Sequence, residues 1–88
     1  MGTCDEVRYV YEAAQRLLRE RELDYEGSWK REGLGCMAAS LYRKASGLEV
    51  AFRNGNWATR PIKTKEDLLD LMNYCALVYR LTELEERD

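Results

Sequence analysis

Asp67, Asp70 and Asn73 recur every three residues, which places them on one side of any helix that carries them, with Tyr74 one turn beyond Asp70. They interrupt an otherwise apolar run that includes Leu68, Leu69, Leu71 and Met72. A carboxylate buried in such a run without a partner costs several kcal/mol, so the chain must supply positive charge to it. Two suppliers are open. One is a structural salt bridge, with Arg43, Lys44 or an arginine of the N-terminal segment facing Asp70 while Asp67 caps its helix. The other is a divalent cation, Mg²⁺ or Mn²⁺. Such a hard ion takes oxygen ligands and commonly joins one or two carboxylates to the phosphates of a substrate.

A second acidic point lies at Glu20 and Asp24, four apart and therefore on one helical face. They are either a solvated helix end or the acids that complete a metal cage opposite Asp67 and Asp70. Tyr25 and Trp29 flank Gly27-Ser28. They either plug the open end of a small bundle or stack on a nucleobase, the glycine letting backbone approach the ligand. Arg43-Lys44 stands among Leu41, Ala45 and Leu48. Its stems either cover the core with their charges in water, or the charges hold phosphate oxygens. Trp57, Arg60, Lys63 and Lys65 form another basic-aromatic group, placed where a helix N-terminus would favour an anion.

Composition narrows the chemistry. Histidine is absent, which excludes a histidine base, a histidine metal ligand and a Ser-His-Asp triad. Catalysis, if there is any, must use carboxylate, Lys, Tyr or Cys, with or without a metal. Lys plus Arg is 14 and Asp plus Glu 16, a net charge of −2, which argues against general nucleic-acid binding. Cys4, Cys36 and Cys75 are odd in number, far apart and without C-x-x-C spacing, so neither a disulfide framework nor a zinc site is expected. Each reads as a small buried apolar residue. The acidic opening, Met1 to Glu6, lacks an apolar signal core, and no apolar run approaches the roughly 20 residues of a membrane span. A cytoplasmic protein is expected, with no membrane partner.

The elements that must position these groups are helical. Thr3-Cys4-Asp5-Glu6 has capping-box spacing, and Val7, Val10, Tyr11, Ala14, Leu17 and Leu18 follow on one face, which predicts a helix over about 4–23. Asp24 to Trp29 breaks the period with turn residues, and the irregular stretch is expected to last until Gly33 or Gly35. Met37, Leu41, Leu48 and Phe52 predict a second helix over about 34–53, in which Gly47 would mark a close crossing. Residues 56–63 read as a loop. Thr64-Lys65-Glu66-Asp67 then caps a third helix running to about Glu83. Apolar residues surround that helix almost completely, as expected of the centre of a bundle or of a subunit interface. The 88 residues form one domain, 1–88, all-α, a small bundle of three main helices. A chain this short buries only about 60–65% of the surface its unfolded form exposes, so a second copy is expected to complete the core.

Two stretches also resemble a known family. Asp24-Tyr25-Glu26-Gly27-Ser28-Trp29 resembles the D-Y-G-x-x-W element of small phage and bacterial members of the MazG-like, all-α NTP pyrophosphohydrolase group. Leu68 to Leu77 resembles their D-x-L-x-D-L-x-N-Y-A segment, and Arg43-Lys44 supplies a basic residue between the two. The likeness spans about residues 12–82. It implies a dimeric or tetrameric helical bundle, a Mg²⁺ site of helix-borne acids, and cleavage of an NTP or dNTP to monophosphate and pyrophosphate. On that reading Asp24, Asp67 and Asp70 hold the metal, and Glu20 or Glu66 takes a proton from the attacking water. Arg43, Lys44 and Arg60 hold phosphates, Tyr25 or Trp29 stacks on the base, and Asn73 shares the site face. The family's first E-x-x-E pair has no counterpart before Asp24, where Glu12-x-x-Gln15 comes nearest, and Asp67 replaces an expected Glu. A nucleotide-binding relative with a degenerate site is therefore also implied. The reading from another class is a non-enzymatic helical oligomerisation, adaptor or inhibitor protein.

Overall fold

The structure, a computed structural model, describes residues 2–25 and 27–86, the side chains of residues 22–25 excepted. It is all-α. Three long helices, α1 (Thr3–Tyr25), α2 (Ser28–Arg53) and α4 (Pro61–Glu86), are joined by short links, the second of which contains the single turn α3 (Asn56–Thr59). Among the described residues there is no strand.

The helix that reads as apolar all round, α4, is the centre of the molecule. Asn73 on α4 meets Ala14, and Asp70 meets Arg21, so α1 lies antiparallel beside it. Lys44 of α2 reaches Asp67 and Asp70, while Met37, two turns earlier, shares a cavity with Leu77. Hence α2 is antiparallel to α4 as well. Among the described residues α1 and α2 pack on α4 and hardly on each other. Two parallel helices in sequence need a return path, and Ser28–Glu32 provides it, crossing the groove between them. Gly27 (φ 72°) starts this segment and Gly33 (φ 81°, ψ 175°) turns it into the long part of α2. The Gly33 conformation is essentially closed to residues with a Cβ. The expectation of an irregular stretch up to Gly33 is thus corrected. From Ser28 the chain is helical, but a single turn is too short to show an apolar period.

Two more boundaries move. Residues 56–63 are not a plain loop, since α3 occupies the first half and α4 begins at Pro61. Proline suits the first position of a helix, because its φ is preset and the N–H it lacks would have no partner there. Thr64 therefore lies one turn inside α4, its amide donating to the Arg60 carbonyl at 3.1 Å, and it is buried rather than a cap. At the other end α4 runs to Glu86, beyond Glu83. In α1 the carbonyl of Gly2, not the Thr3 hydroxyl, receives the amides of Asp5 and Glu6.

The core is thin. Its buried apolar members are Ala14, Met37, Leu48 and Leu81, and among the described residues no large side chain is fully enclosed. Cys4, Cys36 and Cys75 are free, as expected, but all three are exposed, which corrects their reading as core residues. Each lies on the outer side of a helix whose inner side alone is covered. Gly47 marks no crossing either, for a Cβ added there would meet nothing within 4 Å. Replacing Gly47 by Ala should therefore stabilise the fold by about 0.5–1 kcal/mol, through lower backbone entropy of the unfolded chain. Gly33→Ala should do the opposite. Urea denaturation of the two variants checks both signs.

Candidate functional site

Asp70 sits at the point where all three long helices meet. Its side chain is only 7% exposed. Arg21 Nη1 of α1 donates to Oδ1 at 2.6 Å, and Lys44 Nζ of α2 stands 3.4 Å from Oδ2. Lys44 also donates to Asp67 Oδ1 at 3.1 Å, and Lys63 donates to the same oxygen at 2.8 Å. The result is an alternating chain, Arg21–Asp70–Lys44–Asp67–Lys63, of three cations and two carboxylates. Protein cations, from the N-terminal helix and from Lys44, are thus in place to supply positive charge to Asp70.

The local sequence explains the placement. Arg21 extends the Ala14, Leu17, Leu18 face, which lies against α4, so its guanidinium arrives one turn past the last apolar contact. Asp67 and Asp70, one turn apart, then bracket Lys44. Asn73, a further turn along, donates Nδ2 to the Ala14 carbonyl at 3.0 Å and pins α1 to α4.

Titration behaviour follows from these contacts. Burial works against the charged form of Lys44, but the hydrogen bond and charge of Asp67, reinforced by Asp70, outweigh it and hold the ammonium above its ordinary value. Burial would likewise raise Asp67. The hydrogen bonds from Lys63 and Lys44, and their charges, win and hold its carboxyl below its ordinary 3.8. A carboxyl depressed in the folded state adds stability above the unfolded value and loses it as pH falls through the folded one. We expect acidification from about pH 5 to pH 2 to weaken the parent protein more than the Asp67→Asn variant, measured as denaturation midpoints across that window.

Two cavities flank the ion chain. The first, about 310 Å³, has Trp29 and Glu32 of the crossing segment on one side and Arg21, Asp70, Asn73 and Tyr74 on the other. The second, about 340 Å³, is bounded by Arg43, Lys44, Gly47 and Asp67. Ser40 and Tyr74 belong to both walls. Arg43 is exposed and donates to Ser40 Oγ at 3.1 Å. Trp29 is half-buried, with the Lys30 ammonium 5.5 Å from its ring centre.

The expected site residues divide accordingly. Asp67, Asp70, Asn73, Arg43, Lys44 and Trp29 converge on the two cavities. Glu20, Glu66 and Arg60 are exposed and border neither. The side chains of Asp24 and Tyr25 lie outside the described residues. Arg21 and Ser40 are the members sequence reasoning passed over as individuals, whereas Tyr74 and Lys63 stand out in it, Tyr74 beside Asp70 and Lys63 in the basic group before the helix. For Arg21 there was a signal, a cation in phase with the apolar face of its own helix.

A resident Mg²⁺ or Mn²⁺ fits this donor set poorly. Asp67 and Asp70 already face cations on three sides, and among the described residues no three Asp, Glu or Cys side chains come together as a metal-binding group. The ion chain carries one more positive than negative charge; Glu32 adds a negative charge at the first cavity and Arg43 a positive one at the second, which is where an anion is favoured. Among the described residues no helix is long and apolar enough to cross a membrane. Comparison of the chain with protein-family models, with curated proteins and with solved structures gives no match.

Proposed function

We propose that this chain is a nucleotide-binding relative of the all-α NTP pyrophosphohydrolases, with a site that binds without cutting. The observation that carries the reading is the pair of adjoining cavities, one with an aromatic wall at Trp29 and the other with the cations Arg43 and Lys44. A base stacked on Trp29 leaves its phosphates directed past Ser40 and Tyr74 towards those cations. Ligand sites of about 300–1,000 Å³ with few polar groups are the usual size for such molecules. Charge-assisted hydrogen bonds from a guanidinium suit phosphate oxygens, and Lys44 adds a point charge beside them.

Turnover would require acids free to bind a metal and to accept a proton. Asp67 and Asp70 are neutralised by protein cations, while Glu20 and Glu66 stand away from the cavities. The group's hydrolytic activity is thus the part of the resemblance this geometry supports least. Calorimetric titration with the NTPs and dNTPs, in Mg²⁺ and in EDTA, tests the reading. Binding that persists in EDTA, with no pyrophosphate released in Mg²⁺ or Mn²⁺, is the expected result. Pyrophosphate release at a steady rate, or no binding of any nucleotide, would overturn it.

The second reading, a helical self-association module, is favoured by a separate observation. Among the described residues eleven large apolar side chains are exposed, from Val7 on α1 to Tyr79 on α4.

A further inference from the structure

The first cavity carries a charge that phosphate binding does not use. Glu32 stands in its wall together with Trp29, and a carboxylate there would repel a phosphate. Glu32 is exposed, and among the described residues no cation pairs with it. It lies three residues after Trp29 in the helical turn Ser28–Glu32, immediately before the bend at Gly33. Residues three apart on a helix share a face, with Cβ atoms about 5–6 Å from each other. A planar ring lying on the indole therefore has an edge beside the Glu32 carboxylate.

The polar groups of this cavity differ in what they can tell apart. The hydroxyls of Ser28, Ser40 and Tyr74 both donate and accept, so they discriminate little between one base and another. Two groups have a fixed sense. The Glu32 carboxylate only accepts, and the Arg21 guanidinium only donates. Arg21 gives Nη1 to Asp70 at 2.6 Å, and among the described residues this is its one side-chain hydrogen bond, so other donors of the fork remain. Asp70, the second carboxylate of the wall, is already engaged by Arg21 and Lys44.

Guanine is the base that answers both groups. Its N1–H and 2-amino group are neighbouring donors, which match the two oxygens of a carboxylate. Its O6 and N7 are neighbouring acceptors, which match an arginine fork. Adenine and cytosine set a single amino group beside a ring nitrogen whose lone pair would face the carboxylate. Uracil and thymine set N3–H between two carbonyl oxygens. We propose that Glu32 makes the cavity selective for guanine nucleotides, accepting from N1–H and the 2-amino group while Arg21 donates on the O6 and N7 side and Trp29 holds the ring by stacking. Reading a base by its hydrogen-bonding edge while an aromatic side chain stacks on its face is a general mode of recognition. The inference rests on the nucleotide reading above and adds the identity of the base. It is indifferent to whether the nucleotide is cut.

Calorimetric titration in EDTA with GTP, ITP, ATP, CTP and UTP tests it. GTP should bind roughly tenfold or more tighter than ATP, CTP or UTP. ITP, which lacks only the 2-amino group, should bind about tenfold more weakly than GTP, the worth of one hydrogen bond to a charged group. Glu32→Gln keeps the length of the side chain but offers one acceptor and one donor in place of two acceptors. It should weaken GTP roughly tenfold and bring GTP and ITP within about threefold of each other. The fold should survive, since Glu32 is exposed, and circular dichroism checks this. The comparison of GTP with ITP needs no variant at all. Binding of all four common NTPs with equal affinity overturns the inference and leaves the nucleotide reading standing. So does equal affinity for GTP and ITP, or a preference for GTP that Glu32→Gln does not diminish, since the base is then read elsewhere. No binding of any nucleotide overturns both readings together.

Discussion

Asp70→Asn should lower the stability of the metal-free protein by about 2–3 kcal/mol. The substitution keeps the shape of the side chain and one acceptor for Arg21. It removes the charge that both Arg21 and Lys44 face, and it turns an amide donor towards the Lys44 ammonium. Removing one partner of a fully buried pair costs about 3–5 kcal/mol. The smaller figure reflects Arg21, whose side chain is 43% exposed and can regain water. In a domain of this size the loss corresponds to a fall in melting temperature on the order of 10–20 °C. The sign is decisive. Were Asp70 one of several repelling carboxylates waiting for a metal, its neutralisation would stabilise the metal-free protein. Asp67→Asn gives an internal scale. Asp67 itself is 21% exposed and its second cation, Lys63, 64%, so the loss there should be about 1 kcal/mol. Thermal denaturation of the two variants in EDTA, at neutral pH, measures both values.

Much of this site was legible from residue types alone. An aspartate between two leucines announces a compensating cation, and the candidates Arg43, Lys44 or an N-terminal arginine included the right ones. What the sequence does not carry is the register between helices. Arg21 meets Asp70 because Ala14 meets Asn73, and that alignment is a property of two surfaces packed together. The same limit explains the acids. Glu20 and Glu66 look as eligible as Asp67 on charge and spacing, but each points away from α4's contact with its neighbour. Helix interiors were read well because apolar periodicity is long and redundant. Helix ends were not, because one turn, such as Ser28–Glu32 or Asn56–Thr59, contains too few residues to show a period.

The cysteines and Gly47 mark a different limit. Cysteine is ordinarily a buried residue and a helical glycine ordinarily marks a crossing, so both were placed inside. Both inferences assume enough core to go round. In this chain α1 and α2 each cover one flank of α4 and leave its third side open, so residues that would be interior in a thicker bundle stand at the surface.

Arg43→Ala separates ligand binding from folding, which no variant of the ion chain can do. Arg43 is exposed, and among the described residues its one side-chain hydrogen bond is to the Ser40 hydroxyl, so its loss should alter stability by no more than about 0.5 kcal/mol. If nucleotide phosphates occupy the cavity beside it, the variant forfeits charge-assisted hydrogen bonds worth about 1.5–3 kcal/mol. That is roughly a 10- to 150-fold rise in Kd. Trp29→Leu should reduce affinity through the other half of the ligand, by the about 1–3 kcal/mol of base stacking. The two losses should be additive within about 0.5 kcal/mol, because the side chains belong to different cavities. Inorganic triphosphate then distinguishes the roles. Its binding should fall with Arg43→Ala and stay the same with Trp29→Leu. A Trp29 variant that weakens triphosphate and nucleotide equally would mean that the indole shapes the fold around the cations and does not hold a base. Equal affinity of the Arg43 variant and the parent for every nucleotide would remove the phosphates from this cavity altogether.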